Sequence, residues 1–152
     1  MAYITEEARQ ELVDSVAEAA GELATALAMV GAAYEELDEQ SGDTLEEELF
    51  RPLQVAYGRA QRTVTSFAER HRLSVPDMTG RDAGLVSRGV KELIADGVEA
   101  VEVAEAILTE LQDSLSPVEV GDTELRAGLA DVRERMSALP ARAERFISRF
   151  GR

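Results

Sequence analysis

LVDSVAEAAGELATALAMVGAAYEEL, residues 12–37, is the stretch that decides the fold of this 152-residue chain. Its apolar residues recur at alternating steps of four and three, the spacing that lines one face of an α-helix. The seam consists of Leu12, Val16, Ala19, Leu23, Ala26, Val30, Ala33 and Leu37. It is widened into a core-facing surface by Val13, Ala20, Leu27 and Tyr34. The stretch therefore predicts one long helix over about residues 5–40.

The same helical spacing continues through the rest of the chain and predicts three more helices. We expect them over about residues 44–73, 80–115 and 122–150, with Asp122 as the N-cap of the last. Four helices joined by short links are typical of an antiparallel bundle. The sequence therefore predicts an all-α, up-down-up-down antiparallel four-helix bundle that forms one domain over residues 1–152.

Two prolines interrupt this pattern within predicted helices. Pro52 falls two turns into the second helix, and Pro140 falls in the middle of the fourth. A proline inside a helix removes one hydrogen bond and crowds the preceding turn. We therefore expect helices two and four to be kinked at these residues, with the fourth bent rather than divided.

The composition excludes several classes of function. The chain has 30 acidic and 16 basic residues, for a formal net charge of -14, which disfavours binding to nucleic acid or to an anionic membrane. It contains no cysteine, so disulfides, zinc–thiolate sites and iron–sulfur clusters are excluded. We also find no pattern of a signal peptide or membrane span. These features predict a cytoplasmic protein without a cofactor.

Charge is distributed unevenly along the chain. Residues 1–48 have 14 acids and one base, and residues 92–132 have 11 acids and one base. Residues 49–91 have 8 bases and 3 acids, and residues 133–152 have 6 bases and 2 acids. In an up-down-up-down ring, every acidic helix would lie beside more basic ones. We interpret the alternation as a device that selects the bundle topology; the alternative is an acidic docking surface on the first helix for a basic partner.

A second line of small residues on the first helix exceeds what a bundle core requires. It consists of Ala17, Gly21, Ala24, Ala28 and Gly31. Residues 23–34 also carry no charge. Small residues let two helices approach closely, and each glycine costs a helix interior up to about 1 kcal/mol relative to alanine. The line predicts a homodimer or partner-helix interface, flanked by Asp14, Glu18 and Glu22; the alternative is that alanine serves only as a good helix former in solvent.

A ligand pocket is the second functional hypothesis. If the segments at Pro52 and Pro140 lie close together, their irregular geometry could open a cavity in the bundle. The residues that we expect to line it are Tyr34, Phe50, Tyr57 and Met136. A bundle with such a cavity would bind a small molecule.

Catalytic chemistry has little support. The only histidine, His71, lies near the end of an apolar stripe, where a structural role is more common than catalysis. The pairs Glu102–Glu105 and Glu110–Asp113 resemble those of metal-dependent helical nucleotide pyrophosphohydrolases, which implies a metal-dependent hydrolase as a third hypothesis. Helical geometry, however, turns most of these carboxylates toward water. We therefore predict no catalytic or metal-binding residues and favour a non-enzymatic interaction protein that self-associates or binds a partner helix.

Overall fold

The chain folds entirely as helices and connecting segments in the residues that the structure describes. The structure is a computed structural model that describes residues 2–84 and 88–150, with side chains from residue 4 onward. Its α-helices are α1 Ala2–Glu35, α2 Glu39–Leu45, α3 Arg51–His71, α4 Val90–Asp113, α5 Ser116–Glu119, α6 Thr123–Met136 and α7 Leu139–Phe150. A π-helical turn, Glu46–Phe50, joins α2 to α3. The predicted all-α character is therefore confirmed.

The central element is α1, whose predicted apolar seam is buried from Leu12 to Ala33. The helix ends at Glu35 rather than near residue 40, so the half-buried Leu37 lies outside it. Leu12, Val16, Leu23 and Ala26 are at most 1% exposed, and Val30 is 3% exposed. By length and composition alone, Ile4–Glu35 could also cross a membrane, but 56% of its most apolar window is buried inside the bundle. Packing against the other helices accounts for that apolar character, because a core helix has the same composition.

The long helices form a ring in which neighbours run in opposite directions. At one end of α1, Gly31 lies beside Phe50, and at the other Gln10 bonds to Ser74, so α3 runs antiparallel to α1. The Cβ position of Gly97 on α4 lies 3.2 Å from a methyl of Val30, so the start of α4 meets the later part of α1. Beyond α3, the ring continues through α6 and α7, and α7 packs on α4.

This ring has a different chain order from the predicted up-down-up-down bundle. Both α3 and α4 run antiparallel to α1, so they point in the same direction and occupy opposite corners. The chain must therefore travel back along the whole bundle between them. Residues 73–84 and 88–89 of this return path are not helical, and residues 73–84 are here called the strap.

The strap is where the predicted third helix is wrong. Residues 80–84 and 88–89 are not helical, and α4 begins only at Val90; residues 85–87 lie outside the described part of the chain. The physical reason is composition, since Pro76, Gly80, Gly84 and Gly89 fall within fourteen residues. Each glycine lowers helix stability by about 1 kcal/mol relative to alanine, and an extended return path needs that freedom.

Both prolines coincide with helix irregularities. Pro52 has no N–H to donate to the Glu48 carbonyl four residues earlier, and the π-helical turn ends at Phe50, two residues before it. The Glu48 carbonyl accepts a 3.5 Å hydrogen bond from Arg142 instead. At Pro140, the fourth predicted helix is interrupted at residues 137–138 and forms α6 and α7. That helix is therefore divided where we expected it to be bent.

The arrangement of charge also differs from the prediction. The helix that packs most extensively against α1 is α4. Each of these two helices carries seven acidic residues and one basic residue. The interpretation that alternating charge selects the neighbours is therefore wrong, because the crossover places the two acidic helices side by side.

Asp122 caps α6 as predicted and ties it to the end of α3. Its carboxylate accepts a 2.8 Å hydrogen bond from the Leu125 backbone N–H. It also accepts two from Arg70, at 2.8 and 2.9 Å, and lies 3.1 Å from His71 Nε2. Partial burial opposes ionisation, but the hydrogen bonds from Arg70, Leu125 and His71 prevail and hold the pKa of Asp122 well below its usual range.

This cluster predicts a specific acid sensitivity. A carboxylate whose pKa is lower in the folded state stabilises the fold above its unfolded pKa, and this contribution is lost as the pH falls below about 4. Urea unfolding of Asp122→Asn should therefore depend less on acid than that of the parent. Asp122→Ala, which also loses the cap, should unfold about 1–2 kcal/mol more easily near neutral pH. Identical acid dependence of Asp122→Asn and parent would contradict the assignment.

Candidate interaction surface

The predicted small-residue line lies along the side of α1 that faces α3 and the strap. Ala17 is buried, and Gly21, Ala24, Ala28 and Gly31 are half-buried. None of the five is fully exposed, so the line is a shallow recess rather than an open face. It is here called the α1 strip.

The strap covers the middle of α1 next to Gly21. A side chain at Gly80 would put its Cβ 2.4 Å from the Gly21 carbonyl oxygen and 2.7 Å from the Thr25 backbone nitrogen. Gly80 also has a backbone φ of +71°, which residues other than glycine rarely adopt. Its neighbour, Arg81, donates a 2.8 Å backbone hydrogen bond to the Thr25 hydroxyl. This contact is therefore possible only for glycine at position 80.

The sequence interpretation missed this contact. Thr25 is only 2% exposed, yet its hydroxyl both accepts from Arg81 and donates to the Gly21 carbonyl. In the sequence, Thr25 is one polar residue in an otherwise apolar and small stretch. That isolated threonine was the available signal, and it marks the attachment point of the strap.

The other end of the strip opens into a small cavity. Its volume is about 270 Å³, and its lining residues are Gly31, Tyr34, Glu35, Glu46 and Phe50. Tyr34 is 38% exposed at its rim. Ligand pockets are usually about 300–1,000 Å³, so this cavity is closer in size to one large side chain. It has aromatic walls, and the carboxylates of Glu35 and Glu46 contribute to its lining.

The four predicted pocket residues do not form one site. Tyr34 and Phe50 line the same cavity. Tyr57 instead donates its hydroxyl to the Met78 carbonyl of the strap at 3.1 Å. Met136 is fully buried in the core. The structure therefore brings together the first pair only, because the π-helical turn directs Phe50 toward α1 while the strap engages Tyr57.

The glycines of α1 differ from those at the other helix contacts. An added Cβ at Gly128 on α6 would lie 2.3 Å from the Thr63 hydroxyl oxygen, so close packing requires glycine there. At Gly21, by contrast, an added Cβ would meet nothing within 4 Å, and at Gly31 the nearest atom is a Phe50 ring carbon at 3.6 Å. Contacts within this chain therefore do not explain the two glycines of the strip.

The opposite side of α1 is strongly acidic. A groove of about 420 Å³ between α1 and α4 is lined in part by Glu11, Glu18 and Glu110. A second groove, of about 590 Å³, lies farther round α4, between it and the junction of α6 and α7, and is lined in part by Glu102, Glu105, Glu110 and Asp113. Across the described residues, the acids of α1 and α4 form ion pairs only at Glu22, with Arg81, and at Asp96, with Arg88. The electrostatic field on this side therefore disfavours a second acidic surface.

The residues considered for catalysis have other surroundings. His71 is half-buried, packs on the Phe67 ring at 4.5 Å between centroids, and bonds to Asp122. Glu102 and Glu105 lie in an open groove. Within residues 2–84 and 88–150, no three histidine or carboxylate groups converge closely enough to hold a metal ion. The geometry thus gives His71 a structural partner and leaves the carboxylates facing solvent.

Comparison of this chain with protein-family models, with curated proteins and with solved structures finds no match.

The glycine geometry predicts opposite effects of one substitution at different sites. Gly21→Ala and Gly31→Ala should each raise the free energy of unfolding by about 0.5–1 kcal/mol, because alanine favours the helix and meets no clash. Gly128→Ala should lower it by about 1–3 kcal/mol through overpacking against Thr63. Urea denaturation of the purified variants measures all three. A loss of stability in Gly21→Ala would show that the fold itself requires that glycine.

Proposed function

We propose that this protein is a non-enzymatic interaction protein that self-associates through the α1 strip. The observation that carries the proposal is the pair of glycines, Gly21 and Gly31, whose missing side chains no contact within the chain requires. Each lowers the stability of the helix relative to alanine by about 1 kcal/mol. Close approach of a second helix is a physical reason for small residues at these positions.

The charge pattern of α1 favours a particular pairing of two copies. Residues 23–34 carry no charge and lie between Glu22 and Glu35. When two α1 helices pair antiparallel about Ala28, the uncharged stretches face each other. Shifting the register brings Glu22 or Glu35 toward the uncharged centre, where a carboxylate would lose solvent without gaining a cation. The acids thus act as register markers, and a two-fold dimer is the simplest closed arrangement.

The cavity at Gly31 supports the same surface. It continues the strip, has the aromatic walls of Tyr34 and Phe50, and is the size of one large side chain. In a two-fold dimer it would occur twice, once on each copy. Filling such a recess would add apolar burial to helix packing, which contributes about 25 cal/mol per Å² removed from water.

One charge substitution with a matched control tests the proposal. Ala28→Glu places two carboxylates at the centre of the proposed dimer, one from each copy, and should weaken association at least about ten-fold. Ala130→Glu makes the same change at an exposed position on α6 and should leave association unchanged. Sedimentation velocity at micromolar to millimolar concentrations measures both variants against the parent.

The result also separates this proposal from its alternatives. If neither the parent nor Gly80→Ala, whose added Cβ would clash with the Gly21 carbonyl and displace the strap, associates over the whole concentration range, self-association through α1 is wrong. If the parent associates and Ala28→Glu and Ala130→Glu weaken it equally, the contact lies elsewhere on the molecule.

A further inference from the structure

The strap is held to the bundle mainly at three places. At its start, Gln10 Nε2 donates to the Ser74 carbonyl at 2.8 Å. In its middle, the Tyr57 hydroxyl donates to the Met78 carbonyl at 3.1 Å. Near its end, Arg81 donates from its backbone to Thr25 and from its side chain to Glu22, at 2.8 and 3.3 Å. These attachments are polar and involve side chains of α1 and α3.

The strap also buries little apolar surface of its own. Its partly buried apolar residues are Leu73, Val75, Met78 and Ala83. Most of the others, including Pro76, Asp77 and residues 79–82, are exposed. A segment with few buried apolar contacts and no regular secondary structure belongs to the less stable part of a protein, which opens before the core does.

Lifting the strap would not leave the buried Thr25 hydroxyl without a partner. The Thr25 hydroxyl would keep its 3.1 Å bond to the Gly21 carbonyl. The Arg81 N–H and the Met78 carbonyl would pass to water together with the strap. Detaching the strap therefore costs the free energy of a few hydrogen bonds and of a small exposed apolar area. It does not add the larger cost of leaving the buried Thr25 hydroxyl without a hydrogen-bond partner.

We propose that the strap is an autoinhibitory cover of the α1 strip, which a second copy of this chain displaces. It lies over Thr25 and beside the Gly21 carbonyl, next to the half-buried Ala24, Ala28 and Gly31 of the strip. When it lifts, the strip is continuous from Gly21 to Gly31, a helical length of about 15 Å. This inference rests on the proposed self-association and adds its regulation: full association requires the strap to open.

The test compares variants that release the strap with one that locks it. Thr25→Val removes the hydroxyl that holds Arg81, and Thr25→Ser keeps that hydroxyl as the matched control. Gly80→Ala introduces a Cβ that would lie 2.4 Å from the Gly21 carbonyl, and so forces the strap off α1. The chain has no cysteine, so the double substitution Thr25→Cys with Arg81→Cys introduces one intrachain disulfide that holds the strap on α1. The protein is oxidised at low concentration, and the disulfide-locked monomer is then purified.

Two measurements are made on every variant that keeps Arg81; the locked protein lacks Arg81 and is measured by sedimentation velocity alone. The rate of trypsin cleavage after Arg81 reports how often the strap opens, because an extended, released segment is a protease substrate. Sedimentation velocity reports the association constant. We expect Thr25→Val to raise both by about five-fold, the effect of one lost hydrogen bond, and Gly80→Ala to raise them further. Thr25→Ser should match the parent, and the locked protein should stay monomeric until it is reduced.

The outcomes distinguish the two proposals. If the parent associates and the locked and released proteins associate equally well, the cover is overturned while self-association through α1 stands. If Gly80→Ala is cleaved faster after Arg81 but associates no better than the parent, the cover is likewise overturned. If no variant associates, including Gly80→Ala with its strap released, both proposals are wrong.

Discussion

The return of the chain along α1, between α3 and α4, is the constraint on which the arrangement of this bundle depends. Because α3 and α4 point in the same direction at opposite corners of the ring, the chain must return along the bundle between them. That return path lies directly on α1, where Gly80 has room only for hydrogen next to the Gly21 carbonyl. The Thr25 hydroxyl then fixes the neighbouring Arg81 N–H. A helix in this segment would be too short to span the bundle, since a helix rises 1.5 Å per residue and an extended chain more than 3 Å.

The crossover determines how charge is distributed over the surface. With a short link after α3, the next helix would lie beside it, and acidic and basic helices would alternate around the ring. The long return places α4 beside α1 instead, so that fourteen acids and two bases lie on two neighbouring helices. On the other side, Arg59 of α3 reaches Asp131 of α6 at 2.8 Å, and Arg70 reaches Asp122 at the same distance. Cross-helix ion pairs thus connect α3 to α6, whereas α1 and α4 contribute buried apolar residues to the shared core.

Periodicity was sufficient to predict the helical class, the buried seam of α1 and the Asp122 cap, because each depends on residues close together in sequence. It could not predict the order of the helices around the ring. That order depended on the segment before α4. The pattern of valines and leucines there predicts a helix, but residues 80–84 and 88–89, which include three glycines, are not helical. For the same reason the candidate pocket was predicted only in part: Tyr34 and Phe50 meet across a local turn, whereas Tyr57 bonds to a strap whose path was not foreseen. The Gly80–Thr25 contact joins residues 55 positions apart, and no local pattern encodes it.

The two sides of α1 differ in what they allow to approach. The α4 side has carboxylates in both of its grooves, so a second copy of this acidic chain would be repelled there. The α3 side has the α1 strip, which is uncharged from residue 23 to 34. Two chains of formal charge -14 repel each other at long range in every orientation. Along this strip, however, no local carboxylate of residues 23–34 adds to that repulsion. Salt screens such repulsion over about 8–10 Å, whereas helix contacts through small residues act at van der Waals distance. A contact through the strip should therefore strengthen with added salt, and a contact with a basic partner in the acidic grooves should weaken.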